Sequence, residues 1–282
     1  MKHSILKIAA VLSVLFFLSA NVFAQETFNL QYKFSKGSTY LYNSDIASQL
    51  TQEVMGKEMK FGNDIHGVIR FLVDDVEDNG DIQFTASMDS ATLKSNMMGK
   101  DTSISLSSLI GKRVKAVLSS FGEVKSCTMI DSVEENSNRM MSVPQEIKRF
   151  FTKFAGKDLK IGESWNSSEI DTIKNYGGTI ISNVDMTCTL SGKENKLGHE
   201  CFIIPFSGKL KISGKGNMQG MDFTMEGDGT SSGTIYFDGK TGLLVYSEGS
   251  MENDMTMATT GGQSMVIPIT QNIKYTQTLI NR

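Results

Sequence analysis

Lys94-Ser95-Asn96-Met97-Met98-Gly99-Lys100-Asp101 returns 121 positions later as Lys215-Gly216-Asn217-Met218-Gln219-Gly220-Met221-Asp222, with five of the eight positions identical. A match this short needs neighbours that agree with it. Gly37 and Tyr40 are answered by Gly162 and Trp165, Gly80 by Gly198, and Gly122 by Gly242, in the same order and at offsets of 118 to 125. A near-constant offset held across several landmarks marks two copies of one supersecondary plan. The sequence therefore predicts a first repeat over 25–130, a linker over 131–156 and a second repeat over 157–282, the repeats forming one continuous domain.

Both copies read as β-structure. Ile65, Gly67, Ile69, Phe71 and Val73 alternate with His66, Val68, Arg70 and Leu72, and Ile82, Phe84, Ala86 and Met88 with Asp81, Gln83, Thr85 and Ser87. Period-two alternation punctuated by Gly and Asn is the pattern of antiparallel strands with one wet face. The fold class expected is mainly β, two pseudo-repeated curved antiparallel units with one linking helix around 143–155. The helix opens on Ser142 as cap with Pro144 in its first turn, carries Ile147, Phe150, Phe151 and Phe154 as an apolar stripe, and stops at Gly156. Such a stripe must lie against a sheet. Asp131 to Asn138 reads as a loop.

The first 24 residues form a separate signal. Lys2 and Lys7 precede an apolar run over 8–18, and Val22-Phe23-Ala24 supplies small residues for cleavage before Gln25. That is a secretory signal peptide, and it predicts a periplasmic or secreted protein with no transmembrane helix after cleavage. Loss of Lys2 and Lys7 leaves 26 basic against 31 acidic residues, a formal charge of −5. No basic stripe exists to neutralise phosphates, so nucleic acid is not an expected partner. Three cysteines remain, Cys127, Cys188 and Cys201. Cys188 and Cys201 flank a hairpin and would face each other only if its turn centred on Glu194-Asn195. A later centre near Gly198 leaves all three as small buried residues.

The 17 methionines are clustered. Met97 and Met98 precede Gly99, Met218, Met221 and Met225 surround Gly220, and Met251, Met255, Met257 and Met265 bracket Gly261-Gly262. They either fill gaps in a core or make a soft apolar surface for a lipid, an acyl chain or an envelope partner. Thioethers also suit copper(I), but no tight Met-His cluster accompanies them.

Catalytic patterns fail on context. Gly229-Thr230-Ser231-Ser232-Gly233 has the spacing of a nucleophile elbow, yet a strand rather than a helix follows. Gly239-Lys240-Thr241 lacks the upstream glycine and the helix of a phosphate loop. Asp75, Glu77, Asn79 and Gly80 imitate half a calcium loop whose twelfth position is Ala86. No cofactor, no metal and no enzymatic activity are expected.

Asp158-Leu159-Lys160-Ile161-Gly162-Glu163-Ser164-Trp165 resembles the V-x-x-G-(D/E)-(S/T)-W opening of an uncharacterised family of secreted bacterial β-proteins. The hairpin Gly192 to Ile203, with Glu194, Gly198, Cys201 and Phe202, resembles the G-x-E-x-x-x-G-x-x-C-(Y/F)-x-(I/V) hairpin of that family. A similar hairpin occurs in the wider group around the periplasmic carrier LolA and the sensor RseB. The resemblance implies an open, curved half-barrel sheet with helical structure in its mouth and room for acyl chains in its concavity. The candidate cavity or plug residues are then Ile147, Phe150, Phe151, Phe154, Met97, Met218 and Met225. The function expected is a non-enzymatic β-protein binding a hydrophobic ligand or an envelope partner. The alternatives are an outer-membrane β-barrel and an enzyme with a dispersed site.

Overall fold

The computed structural model describes residues 26–133, 142–175, 177–218, 220–260 and 264–281. The segment expected to be a signal peptide at 1–24, most of the segment expected to be a loop at 131–138, and Gly261-Gly262 lie outside the described residues. In chain order the elements are β1 (Thr27–Phe28), β2 (Thr39–Val54), β3 (Lys57–Val76), β4 (Ile82–Met97), β5 (Lys100–Ser105), β6 (Arg113–Leu118) and β7 (Val124–Met129). Helix α1 (Val143–Phe150) follows, and then β8 (Leu159–Lys160), β9 (Ser164–Asn175), β10 (Gly178–Thr189), β11 (Gly192–Lys196), β12 (His199–Met218), β13 (Met221–Asp238), β14 (Leu243–Thr260) and β15 (Met265–Asn281). The fold is mainly β, as the alternation predicts.

Thirteen strands form one antiparallel sheet in the order β7-β6-β4-β3-β2-β15-β14-β13-β12-β10-β9, with β5 added to β4 and β11 to β12. The last strand, β15, pairs with both β14 and β2 and so joins the two halves. The edges β7 and β9 do not pair with each other, so the sheet is not closed into a barrel. Helix α1 reaches both edges. Cys127 on β7 donates its thiol to the Pro144 carbonyl at 3.5 Å, and Gln145 donates to the Thr172 carbonyl on β9 at 3.2 Å.

The halves share their local bonds. The Gly37 amide donates to the Val73 carbonyl and the Val73 amide to the Ser38 carbonyl; the Gly162 amide donates to Leu190 and the Leu190 amide to Glu163. Tyr40 and Trp165, three residues after each glycine, are both buried. At the β4–β5 and β12–β13 turns, Asn96 and Asn217 each accept the amide of the glycine three residues on and donate to Asp101 and Asp222. Gly99 and Gly220 both sit at φ 84°, left-handed backbone that favours glycine in a two-residue hairpin turn.

The core lies at one end of the long strands. Tyr42, Phe71, Phe84, Leu118, Leu190, Ile204 and Phe237 are almost fully buried there. Between β1 and β2 the chain threads this end with Leu30, Tyr32 and Phe34 turned inward. The Tyr32 amide donates to Ser120 and the Lys33 amide to Gly242, one turn from each half. Gly122 is pressed against this plug: a Cβ there would lie 2.0 Å from the Thr152 carbonyl oxygen.

One expectation needs correction, and the cysteine alternatives resolve to the unpaired one. The helix spans Val143–Phe150 rather than continuing to 155, because Phe151 is already extended at φ −96°, ψ 131°. Tertiary bonds take the backbone there: the Thr152 amide donates to the Tyr32 hydroxyl at 3.0 Å and the Phe154 amide to the Phe121 carbonyl at 2.8 Å. Ser142 stands at the cap position, but its side chain makes no capping bond. The Cys188–Cys201 pairing does not form; all three cysteines are free. The β11–β12 turn centres on Leu197-Gly198, which sets Cys201 opposite Glu194, while Cys188 faces Phe206.

Candidate functional site

The four apolar residues of the linker come together. Ile147 and Phe150 lie on α1, Phe151 and Phe154 just beyond it, and all four are buried. Phe150 meets Tyr42 at 4.8 Å between ring centroids, Phe151 meets Tyr32 at 5.4 Å, and Phe154 meets Phe237 at 4.6 Å. Edge-to-face and tilted pairs at these distances fill space densely. These residues therefore pack together as an aromatic plug at one end of the sheet.

Past the plug the same face of the sheet remains apolar. Leu210, Phe223, Ile267 and Ile269 are at most 9% exposed, yet they stand outside the continuous core cluster. Met225, Met251, Met255 and Met257 are half-buried on this face. Met97 falls on the same face by register, opposite Phe61, but is 56% exposed at a hairpin tip. The Met218 backbone closes the matching β12–β13 turn opposite Met221. Of the three methionines singled out from sequence, Met225 is half-buried on the inner wall and Met97 stands at its exposed end.

Glycines on β10 and β13 explain the form of that wall. A Cβ at Gly233 would come within 2.6 Å of the Phe206 ring, one at Gly227 within 2.6 Å of the Met255 side chain, and one at Gly178 within 2.6 Å of the Phe223 ring. Each glycine lets a large neighbour lie flat across the sheet, so apolar surface is spread along the wall. A polar belt crosses it. Asn253 donates to Gln271 and Gln271 donates to Ser48, both at 3.3 Å, and Asn253 Oδ1 is buried without a partner among the described residues. Ser231 of the elbow-like motif is buried in the middle of β13, where no strand-to-helix turn exists.

The seam by α1 is ionic. Arg149 donates through Nε to Asp171 on β9 at 2.9 Å and lies 3.6 Å from Glu146. Burial pushes the Glu146 carboxyl above its ordinary value, against the opposing pull of Arg149. Burial likewise raises the thiols of Cys127, Cys188 and Cys201 to about 11, which makes them poor nucleophiles. Among the described residues no three His, Cys, Asp or Glu side chains converge to hold a metal ion.

Sequence reasoning missed Leu210, Phe223, Ile267 and Ile269 as a group. Their signal was present as period-two placement on three strands, but only the β12–β13–β14–β15 order brings them to one face.

A profile of a family described as being of unknown function (DUF6263) matches residues 139–244. No curated protein matches the chain. Among solved structures, Pseudomonas aeruginosa OccK5 (OpdH) is similar at 8% identity over 87% of this chain and 99% of its own, with a TM-score of 0.26. Pseudomonas aeruginosa OccK8 (OprE) is similar at 6% identity over 87% of this chain and 99% of its own, with a TM-score of 0.22. Scores this low carry neither fold nor function across.

Proposed function

We propose that the protein is a non-enzymatic, periplasmic or secreted binder of an apolar chain, a lipid or the acyl part of an envelope molecule, held along the inner face beyond the plug. The carrying observation is the inner face past the aromatic linker, where half-buried Met225, Met251, Met255 and Met257 stand accessible beside the buried Leu210, Phe223, Ile267 and Ile269. Half-buried methionines add unbranched, polarizable side chains that adapt to a flexible chain.

The charges on the outer face favour this reading over a membrane barrel. Lys209, Lys211 and Lys215 on β12 and Asp222, Glu226 and Asp228 on β13 are exposed on the face opposite the apolar wall. A barrel spanning a membrane needs that outward face apolar. Here the outward face is charged and the inward face apolar.

The test is binding. Purified without detergent, the chain is expected to yield extractable lipid by mass spectrometry, or to bind a dansyl-labelled fatty acid when delipidated. Met225→Glu and Met257→Glu place a charge on the half-buried part of the wall without touching the plug, and are expected to lower probe affinity roughly tenfold, about 1.4 kcal/mol. Absence of both copurified lipid and probe binding in the well-folded wild type overturns the proposal.

A further inference from the structure

The outer face of the sheet carries a second feature, independent of the apolar wall. An open depression of ≈ 500 Å³ lies over β4, β3, β2 and β15. Two rows of residues, set by strand register, make it. Thr276, Asp45, His66 and Thr92 stand opposite one another across β15, β2, β3 and β4. In the adjacent row Lys274, Ala47, Asp64 and Lys94 do the same. Side chains two apart on a strand share a face, so all eight project from one side. Ala47 is the smallest of them and sits between Lys274 and Asp64. The missing bulk at Ala47 opens the space, and long charged side chains rim it.

The charges divide into satisfied and unsatisfied groups. His66 Nδ1 bonds Asp45, and the other Asp45 oxygen accepts from the Thr276 hydroxyl at 3.4 Å. That bond assigns the proton of the neutral ring to Nδ1 and leaves Nε2 on the opposite side of the imidazole. Lys94, Lys274 and Asp64, like many exposed charges of the sheet, have no ion-pair partner within 4.0 Å among the described residues. Two free ammonium groups and one free carboxylate thus rim a single depression.

We propose that this depression binds a small zwitterion, its anionic group between Lys94 and Lys274 and its ammonium at Asp64, with His66 Nε2 as a further polar contact. A ligand with both charges satisfies all three unpaired groups. A bare anion would face Asp64, and a bare cation would face two lysines. The shared chemistry fits a phosphoethanolamine or an α-amino acid, which differ in the anionic group offered.

Titration calorimetry on the intact purified protein tests this, using glycerophosphoethanolamine and glycine as zwitterions and inorganic phosphate and ethylammonium as single-charge controls. One zwitterion is expected to saturate at least about tenfold more tightly than either control, and which one it is identifies the anionic group. Ala47→Leu, which fills the depression and alters no charge, is expected to abolish the signal with the melting temperature unchanged. The Lys94→Gln, Lys274→Gln double variant is expected to weaken binding roughly tenfold or more. Four results overturn the proposal: no saturation by either zwitterion, phosphate alone binding as tightly, affinity unaffected by Ala47→Leu, or affinity unaffected by the lysine variants.

Discussion

Two buried tyrosines show how one hydroxyl can help or harm the same core. The Tyr32 oxygen accepts the Thr152 amide at 3.0 Å, satisfying a backbone group where the chain leaves α1. The Tyr42 hydroxyl, equally buried against Phe71 and Phe150, has no partner among the described residues. Burial raises both phenols, Tyr42 well above its ordinary value. An unpartnered buried hydroxyl costs about 1–3 kcal/mol, and deleting a partner exposes the group left behind to a similar cost. Tyr42→Phe is therefore expected to leave stability unchanged or to raise it by about 1 kcal/mol. Tyr32→Phe should lower it by about 1–3 kcal/mol, because the Thr152 amide is then stranded. Urea unfolding midpoints at constant slope check both; equal losses in the two variants would refute the distinction.

At the scale of elements, the hairpins were legible and the seam was not. Asn96-Met97-Met98-Gly99 and Asn217-Met218-Gln219-Gly220 announce their turns because the glycine supplies the left-handed φ and the asparagine oxygen takes its amide. The same bond appears at Asn195 and Gly198 in the β11–β12 turn, at 3.2 Å. That turn has no short partner motif in the first half, so part of the eight-residue identity is turn chemistry. The stronger evidence of a shared plan is the pair of bonds at Gly37 and Gly162. The helix end was misread because Phe151 and Phe154 keep helical spacing while their backbone follows tertiary partners, which no local pattern encodes. The ionic cluster at the seam was invisible for a similar reason: Glu146 and Arg149 are on α1, but Asp171 arrives from another element.

The seam makes a pH prediction. The folded state raises the Glu146 pKa above its unfolded value, so folding takes up protons and stability falls as pH rises through that window. The penalty is absent well below the unfolded value of about 4.3 and is fully present above the folded value. Glu146→Gln removes the charge while Asp171 continues to hold Arg149. The variant is expected to be more stable than the wild type at pH 7, with the difference shrinking toward zero as pH falls below about 4. Melting temperatures across that range measure it; a difference that grows on acidification would show that the Arg149 attraction outweighs burial.

The whole molecule depends on how its two halves are joined. Residues 246–259 of β14 pair with β15, and residues 269–281 of β15 pair with β2, so one strand completes both ladders. The plug repeats this arrangement in three dimensions, with Phe150 on Tyr42 of the first half and Phe154 on Phe237 of the second. Neither half can bury its own end of the core alone, because the segment at residues 30–34 and the linker at 147–154 are common to both. Unfolding should then be a single cooperative event. Trp165, the one tryptophan, is buried on β9 and donates to the Lys153 carbonyl at 2.9 Å, so its fluorescence reports the second half and the plug. Far-UV circular dichroism weights all strands. The two probes are expected to give coincident urea transitions, as a two-state unit requires. Deleting residues 265–282 removes the shared strand and should destroy the transition seen by both probes, including the ellipticity of the first half. A fluorescence midpoint separated from the ellipticity midpoint, or a truncated chain that keeps half of its sheet signal, would mean that each copy folds on its own and that β15 merely links them.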